Sequence, residues 1–83
     1  MARVRLFAAA RHAVGRGEFT TDALGLTAPT TVGAVVERLT ALAPDARRVL
    51  EGCAVLVDGE RRPPEHPIDD ATTVDVLPPF AGG

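Results

Sequence analysis

The sequence predicts an α+β fold, a mixed sheet packed on one main helix. Three observations predict it. Apolar residues alternate near both ends of the chain, with Val4, Leu6 and Ala8 at the start and Val74 and Val76 at the finish, the two-residue period of half-buried strands. Between them Val32, Val35, Val36, Leu39 and Leu42 fall at i, i+3, i+4, i+7 and i+10, one stripe of an amphipathic helix. In mid-chain Asp58-Gly59 follows an apolar run, and that dipeptide is a strong turn signal.

Residues 2–8 read as the first strand. Val4, Leu6 and Ala8 face one way, and Arg3, Arg5 and Phe7 the other. Residues 9–14 are ambiguous, because alanines permit a helical turn. Gly15-Arg16-Gly17 signals a turn, and residues 18–24 read as a second strand that completes a hairpin, with Phe19 and Thr21 on one face. Residues 25–29 form a loop. Thr30 or Thr31 caps the helix, its hydroxyl accepting from an early backbone N–H. Three valines lower the intrinsic helix propensity, so packing on a sheet must stabilise this segment. Pro44 ends it and suits the first turn of a second, shorter helix. Asp45, Arg47 and Arg48 complement that helix's dipole, and Gly52 is its stop.

Residues 53–57 are the third strand, Asp58-Gly59 the turn, and residues 60–62 a short fourth strand. Pro63, Pro64 and Pro67 make the next stretch irregular, with room for a helical turn at residues 68–70. Residues 73–77 are the last strand, ended by Pro78, which has no N–H for a sheet ladder. An amphipathic helix needs one sheet face to cover it. The second hairpin then flanks the first, and the last strand inserts beside the first strand, parallel to it. That arrangement is the β-grasp, or ubiquitin-like, architecture, with the body at residues 1–77 and a flexible Gly-Gly tail at 78–83. A ferredoxin-like sandwich would need a second full-length helix, which residues 44–52 are too few to supply.

Composition narrows the function by exclusion. The 83 residues carry a formal net charge of −2 and are 46% hydrophobic, so the chain is a small globular unit with no electrostatic footprint for nucleic acid. All nine basic residues are arginine, which excludes a catalytic lysine and a lysine attachment point. Cys53 is the one cysteine, so no internal disulfide forms. No basic-then-apolar leader opens the sequence and no apolar run approaches a membrane span; the expected location is the cytoplasm. Cys53 has no histidine beside it in sequence and reads as a buried structural thiol. His12 and His66 lack ligand spacing, so no metal and no resident cofactor are expected. Arg61-Arg62 reads as solvated surface, Asp69-Asp70 as a turn, and nothing resembles a phosphate loop.

The chemistry points to the tail. Leu77 and Pro78 each precede a proline and so favour extended backbone, which carries residues 78–83 outward by roughly 20 Å at about 3.3 Å per residue. Gly82 and Gly83 lack Cβ, so the backbone fits a narrow channel. The reactive group is then the α-carboxylate of Gly83. A carboxylate is a poor electrophile, but an ATP-using partner that made it an acyl-adenylate would let a sulfur nucleophile displace AMP and leave a thiocarboxylate.

Val76-Leu77-Pro78-Pro79-Phe80-Ala81-Gly82-Gly83 resembles the ending of the MoaD/ThiS sulfur carriers, most of all the small subunit of molybdopterin synthase. Val4-Arg5-Leu6-Phe7-Ala8, Thr31-Val32-Gly33 and Val57-Asp58-Gly59-Glu60 extend the resemblance over almost the whole chain. It implies a sulfur carrier for molybdenum cofactor biosynthesis, the non-catalytic half of a sulfurtransferase, with no activity alone. An adenylating partner of the MoeB/ThiF kind would use ATP and Mg to activate Gly83, Gly82 would let the tail thread, and in a MoaE-like large subunit the tail would give its sulfur to cyclic pyranopterin monophosphate. Related carriers feed thiamin, cysteine or secondary metabolites, and a ubiquitin-like protein modifier would need the same tail. A β-grasp binding module with an inert tail is a third class.

Alternation also leaves Phe7, Ala54, Leu56 and Leu77 on the outer sheet face, with Phe80 and Ala81 just beyond its edge. Several apolar groups exposed together on a small protein mark a partner surface. Phe7, Leu56, Leu77, Phe80 and Ala81 are therefore the expected docking residues for both partners.

Overall fold

The computed structural model describes residues 1–27 and 29–79. Its main sheet has five strands in the order β2-β1-β7-β4-β5: β1 is Arg3–Leu6, β2 Glu18–Thr20, β4 Ala54–Val57, β5 Glu60–Arg61 and β7 Thr73–Leu77. The last strand sits at the centre, parallel to β1 with Leu6 opposite Val76, and antiparallel to β4 with Ala54 opposite Leu77. This is the mixed sheet that the strand order predicts.

One face carries the core. Val4 and Leu6 of β1, Val57 of β4, and Val74 and Val76 of β7 are buried against α2, Val32–Leu42. Val55 is half-buried against the same cluster. The period-2 reading of the strands is therefore in register. Thr31 caps α2, its hydroxyl accepting from the Ala34 N–H at 3.2 Å. Val32, Val35 and Leu39 form the buried stripe. Leu42, expected in that stripe, is 59% exposed, and the helix ends there. A 3₁₀ turn at Pro44–Ala46 and a short helix α3, Arg47–Glu51, follow, as Pro44 foretells. Gly52 closes α3 with φ −85°, so it supplies no left-handed cap.

Four expectations need correction. The connection from β1 to β2 is not a plain hairpin: residues 8–14 are a full helix, α1, Ala8–Val14. It stands because Ala10 is completely buried and the helix packs on α3, the 3₁₀ turn and β7. It also gives the described residues three α-helices, where one main helix and a short second one were expected. The second strand stops at Thr20 rather than 24. A turn begins there, with the Thr20 hydroxyl accepting from the Ala23 N–H at 3.1 Å and Gly25 at φ +75°. Last, Ile68 is not in a helical turn but in a two-residue strand, β6, Pro67–Ile68, paired antiparallel with β3, Thr30–Thr31. Ile68 is fully buried, so this small ladder adds a side chain to the core.

Buried polar groups are paired. Thr21 accepts the Ala2 N–H on its hydroxyl at 3.1 Å. Thr72 donates to the Asp69 carboxylate at 2.9 Å, which with the Ala71 N–H on the same carboxylate oxygen makes Asp69-Asp70 a turn, as expected. Asp58 and Gly59 both have positive φ, 50° and 87°, the geometry of the tight hairpin turn.

Two stability measurements test this account. Leu39→Ala empties the centre of the core and should lower unfolding free energy by about 2–5 kcal/mol, a large share of a small domain's total. Gly59→Ala meets no neighbouring atom, so its cost is backbone strain alone, about 1–2 kcal/mol. Both are read from urea titrations.

Candidate functional site

The strand that leads to the tail is held on both sides. Within β7 the Val76 carbonyl accepts from the Phe7 N–H at 3.2 Å, and Leu77 lies opposite Ala54. Pro78 is half-buried and Pro79 exposed, so the backbone leaves the sheet from its centre rather than from an edge. Phe80, Ala81, Gly82 and Gly83, the expected tail and docking residues, lie outside the described residues.

The outer sheet face starts at that exit. Phe7 is 37% exposed, and Ala54, Leu56 and Leu77 are half-buried on the side away from α2. The structure thus brings Phe7, Leu56 and Leu77 to the face that alternation assigned them. A feature the sequence reading missed stands among them. Arg5 and Asp75 form a two-pronged ion pair, Nε to Oδ1 at 2.7 Å and Nη2 to Oδ2 at 2.9 Å. The same guanidinium carbon lies 5.6 Å from the Phe7 ring centre. The hydrogen bond and the charge of Asp75 hold the Arg5 pKa above its ordinary value. Arg3 and Glu18 add a second, more exposed pair at 3.3 Å. The face is therefore a mixed surface: apolar residues around paired charges, able to dock a protein with both shape and register. The signal was present, since Arg5 and Asp75 alternate onto one face, but only the parallel register sets them opposite each other.

Cys53 is half-buried before β4, its thiol donating to the Val49 carbonyl at 3.1 Å. Burial raises its pKa, the opposite of what a nucleophile needs. It lines an open-sided cleft of about 750 Å³ between α2, the end of α3 and the loop after β5. His12 is exposed on α1 and His66 half-buried across the fold. Among the described residues no three His, Cys, Asp or Glu gather as metal ligands, and no helix is long and apolar enough to cross a membrane. Arg62 pairs with Glu60 at the surface.

The thiol has a pH signature. A raised folded-state pKa means Cys53 contributes stability that is complete below the ordinary thiol value of about 8.5 and is lost as pH rises through the folded value. Wild-type protein should lose stability relative to Cys53→Ala across this range, checked by paired urea melts. Parallel curves would contradict it.

The sequence matches the ThiS family model over residues 4–83. No curated protein matches it. Among solved structures, SAMP1 from Haloferax volcanii is similar with a TM-score of 0.80 and 22% identity, covering 99% of this chain and 98% of that one. The small archaeal modifier protein 1 of Methanosarcina acetivorans follows at TM-score 0.78 and 24% identity, covering 99% and 95%. A complex of subunits 1 and 2 of molybdopterin-converting factor from Helicobacter pylori contains a chain similar at TM-score 0.66 and 18% identity, covering 99% and 97%. At these identities the likenesses establish the β-grasp fold. The family match spans nearly the whole sequence and reaches Gly83, and on it the chain belongs to the ThiS family.

Proposed function

We propose that this protein is a sulfur carrier whose reacting group is the α-carboxylate of Gly83, and that it serves molybdopterin formation. Residues 1–77 are the body and 78–83 the working tail. The observation that carries the reading is the placement of β7: the tail departs from the middle of the sheet, beside an outer face bearing Phe7, Leu56 and Leu77. Membership of the ThiS family supports the tail chemistry. In the cycle, the Gly83 carboxylate attacks the α-phosphorus of ATP on an activating enzyme that holds Mg, and pyrophosphate leaves. A sulfur nucleophile then adds to the acyl carbon and AMP leaves, so a C–S bond replaces the C–O bond to phosphate. Gly82 lets the backbone thread the partner's channel, and Phe80 and Ala81 contribute to docking.

The large subunit within which the tail delivers its sulfur to the pterin substrate docks on the outer face. The Helicobacter pylori relative supports this role, because its structure is a complex with a second subunit. A second reading is a ubiquitin-like modifier joined through Gly83 to target lysines. It is favoured by the likeness to the two archaeal proteins, one of which is named a modifier.

Incubation with ATP, the cognate activating enzyme and a sulfur source should raise the intact mass by the exchange of one oxygen for sulfur. Deleting Gly82-Gly83, or adding one alanine after Gly83, should abolish the gain while leaving the fold intact by circular dichroism. An unchanged gain in the extended variant rules the reading out, and lysine adducts without sulfur transfer favour the modifier. Leu56→Asp and Phe7→Asp should each weaken both partner complexes roughly tenfold or more, measured by calorimetry.

A further inference from the structure

Charge is unevenly distributed along the strand axis. β1 and β7 run parallel, so their C-terminal ends lie together, and the N-terminal end of β4 is beside them. The elements at that end are α1, the turn after it, the 3₁₀ turn and α3, with α1 packed on β7, the 3₁₀ turn and α3. They carry Arg11, Arg16, Arg47 and Arg48, all exposed, and His12. The carboxylates there are Asp45, Glu51 and Glu18, and Glu18 is already paired with Arg3. The opposite end, with the turns before β5 and before β7, carries Asp22, Asp58, Asp69 and Asp70. The chain as a whole is negative, so a positive end is a local feature rather than a consequence of composition.

Two of these arginines are held in place without a carboxylate. The Arg16 guanidinium carbon stacks 4.8 Å from the Phe19 ring centre. Arg11 Nε lies 2.9 Å from the point where a Cβ on residue 17 would stand, a space that Gly17 leaves open. Among the described residues none of Arg11, Arg16, Arg47 and Arg48 has a carboxylate within ion-pair distance. Guanidiniums positioned by packing and left unpaired are ready to meet carboxylates from outside, and lose little side-chain freedom in doing so.

We infer that these arginines form a basic collar around the tail's exit, which docks an acidic protein surface rimming the channel that receives the tail. This rests on the carrier reading above, and adds which chemistry the partner presents there. The apolar outer face supplies contact area, while the collar steers encounter so that the tail arrives at the channel mouth. Steering of this kind accelerates association and falls steeply with salt.

The test is stopped-flow association of the full chain with its cognate activating enzyme, between roughly 30 and 300 mM salt, a range over which screening shortens severalfold. The Arg11→Glu/Arg16→Gln double variant should associate about tenfold more slowly at the low end and lose most of the salt dependence. Arg38→Glu, an exposed change on the middle of α2, should move the rate less than about twofold. Thiocarboxylate yield at saturating carrier should be unchanged in all three proteins. Equal rates and equal salt slopes for wild type and double variant, with thiocarboxylate still formed, overturn the collar and spare the carrier reading. Absence of thiocarboxylate from the wild type sinks the carrier reading and the collar's partner with it. Loss in the double variant of binding to a single-stranded RNA probe that the wild type retains would assign the patch to nucleic acid and overturn the inference.

Discussion

The insertion of β7 between β1 and β4 is the constraint on which the rest of the molecule depends. It joins residues some 70 positions apart in sequence, Arg5 to Asp75, and among the described residues it is the only strand that touches both hairpin-like halves of the main sheet. Without it β1–β2 and β4–β5 are two separate two-stranded ribbons, each marginal in water. With it, Val74 and Val76 complete the apolar floor under α2. The start of the strand is tied as well, since the Thr73 N–H donates to the Asp58 carboxylate at 2.9 Å and the Asp58 N–H to the Thr73 carbonyl at 2.8 Å. A chain segment leaving such a strand is anchored at its root by the strongest part of the fold.

That anchoring explains a division of labour. The helix side of the sheet is given over to the core, whose close packing holds the sheet rigid. The outer side keeps Phe7, Leu56 and Leu77 near solvent, with Arg5 and Asp75 neutralising each other among them. A buried, unpaired charge there would oppose docking, whereas a pair already satisfied within the protein enters an interface at smaller cost. The proposed catalysis then needs no acid, base or metal on this chain. In the proposed cycle the body presents a chain end, and partners act on it.

Much of this was legible in the residues. Thr73–Leu77 is the strand its alternation and Pro78 delimit. Thr31 is the cap, and Asp58-Gly59 the turn, because each has a local chemistry that few other residues satisfy. The outer-face positions of Phe7, Leu56 and Leu77 followed from period 2 alone. Other features carried no local signal. An alanine-rich run such as 8–14 suits several conformations, and Ala10 becomes helical because α3 and β7 offer it a place to be buried. The β3–β6 ladder is two residues long on each side, too short for any pattern. Leu42 sits on the periodic stripe yet stays exposed in the last turn of α2.

The sequence by itself determined the element types wherever a side chain dictates its own backbone or its own face: capping threonine, turn glycine, strand alternation, terminating proline. It also determined membership of the ThiS family, whose model matches residues 4–83. Only the tertiary structure decided which residues meet. The Arg5–Asp75 pair, the burial of Ile68 and the grouping of Arg11 and Arg16 with Arg47 and Arg48 at the end of the sheet that Pro78 leaves all depend on strand register and helix docking. Those are set by how the whole apolar surface is buried at once, a sum over distant residues that no short stretch of chain contains.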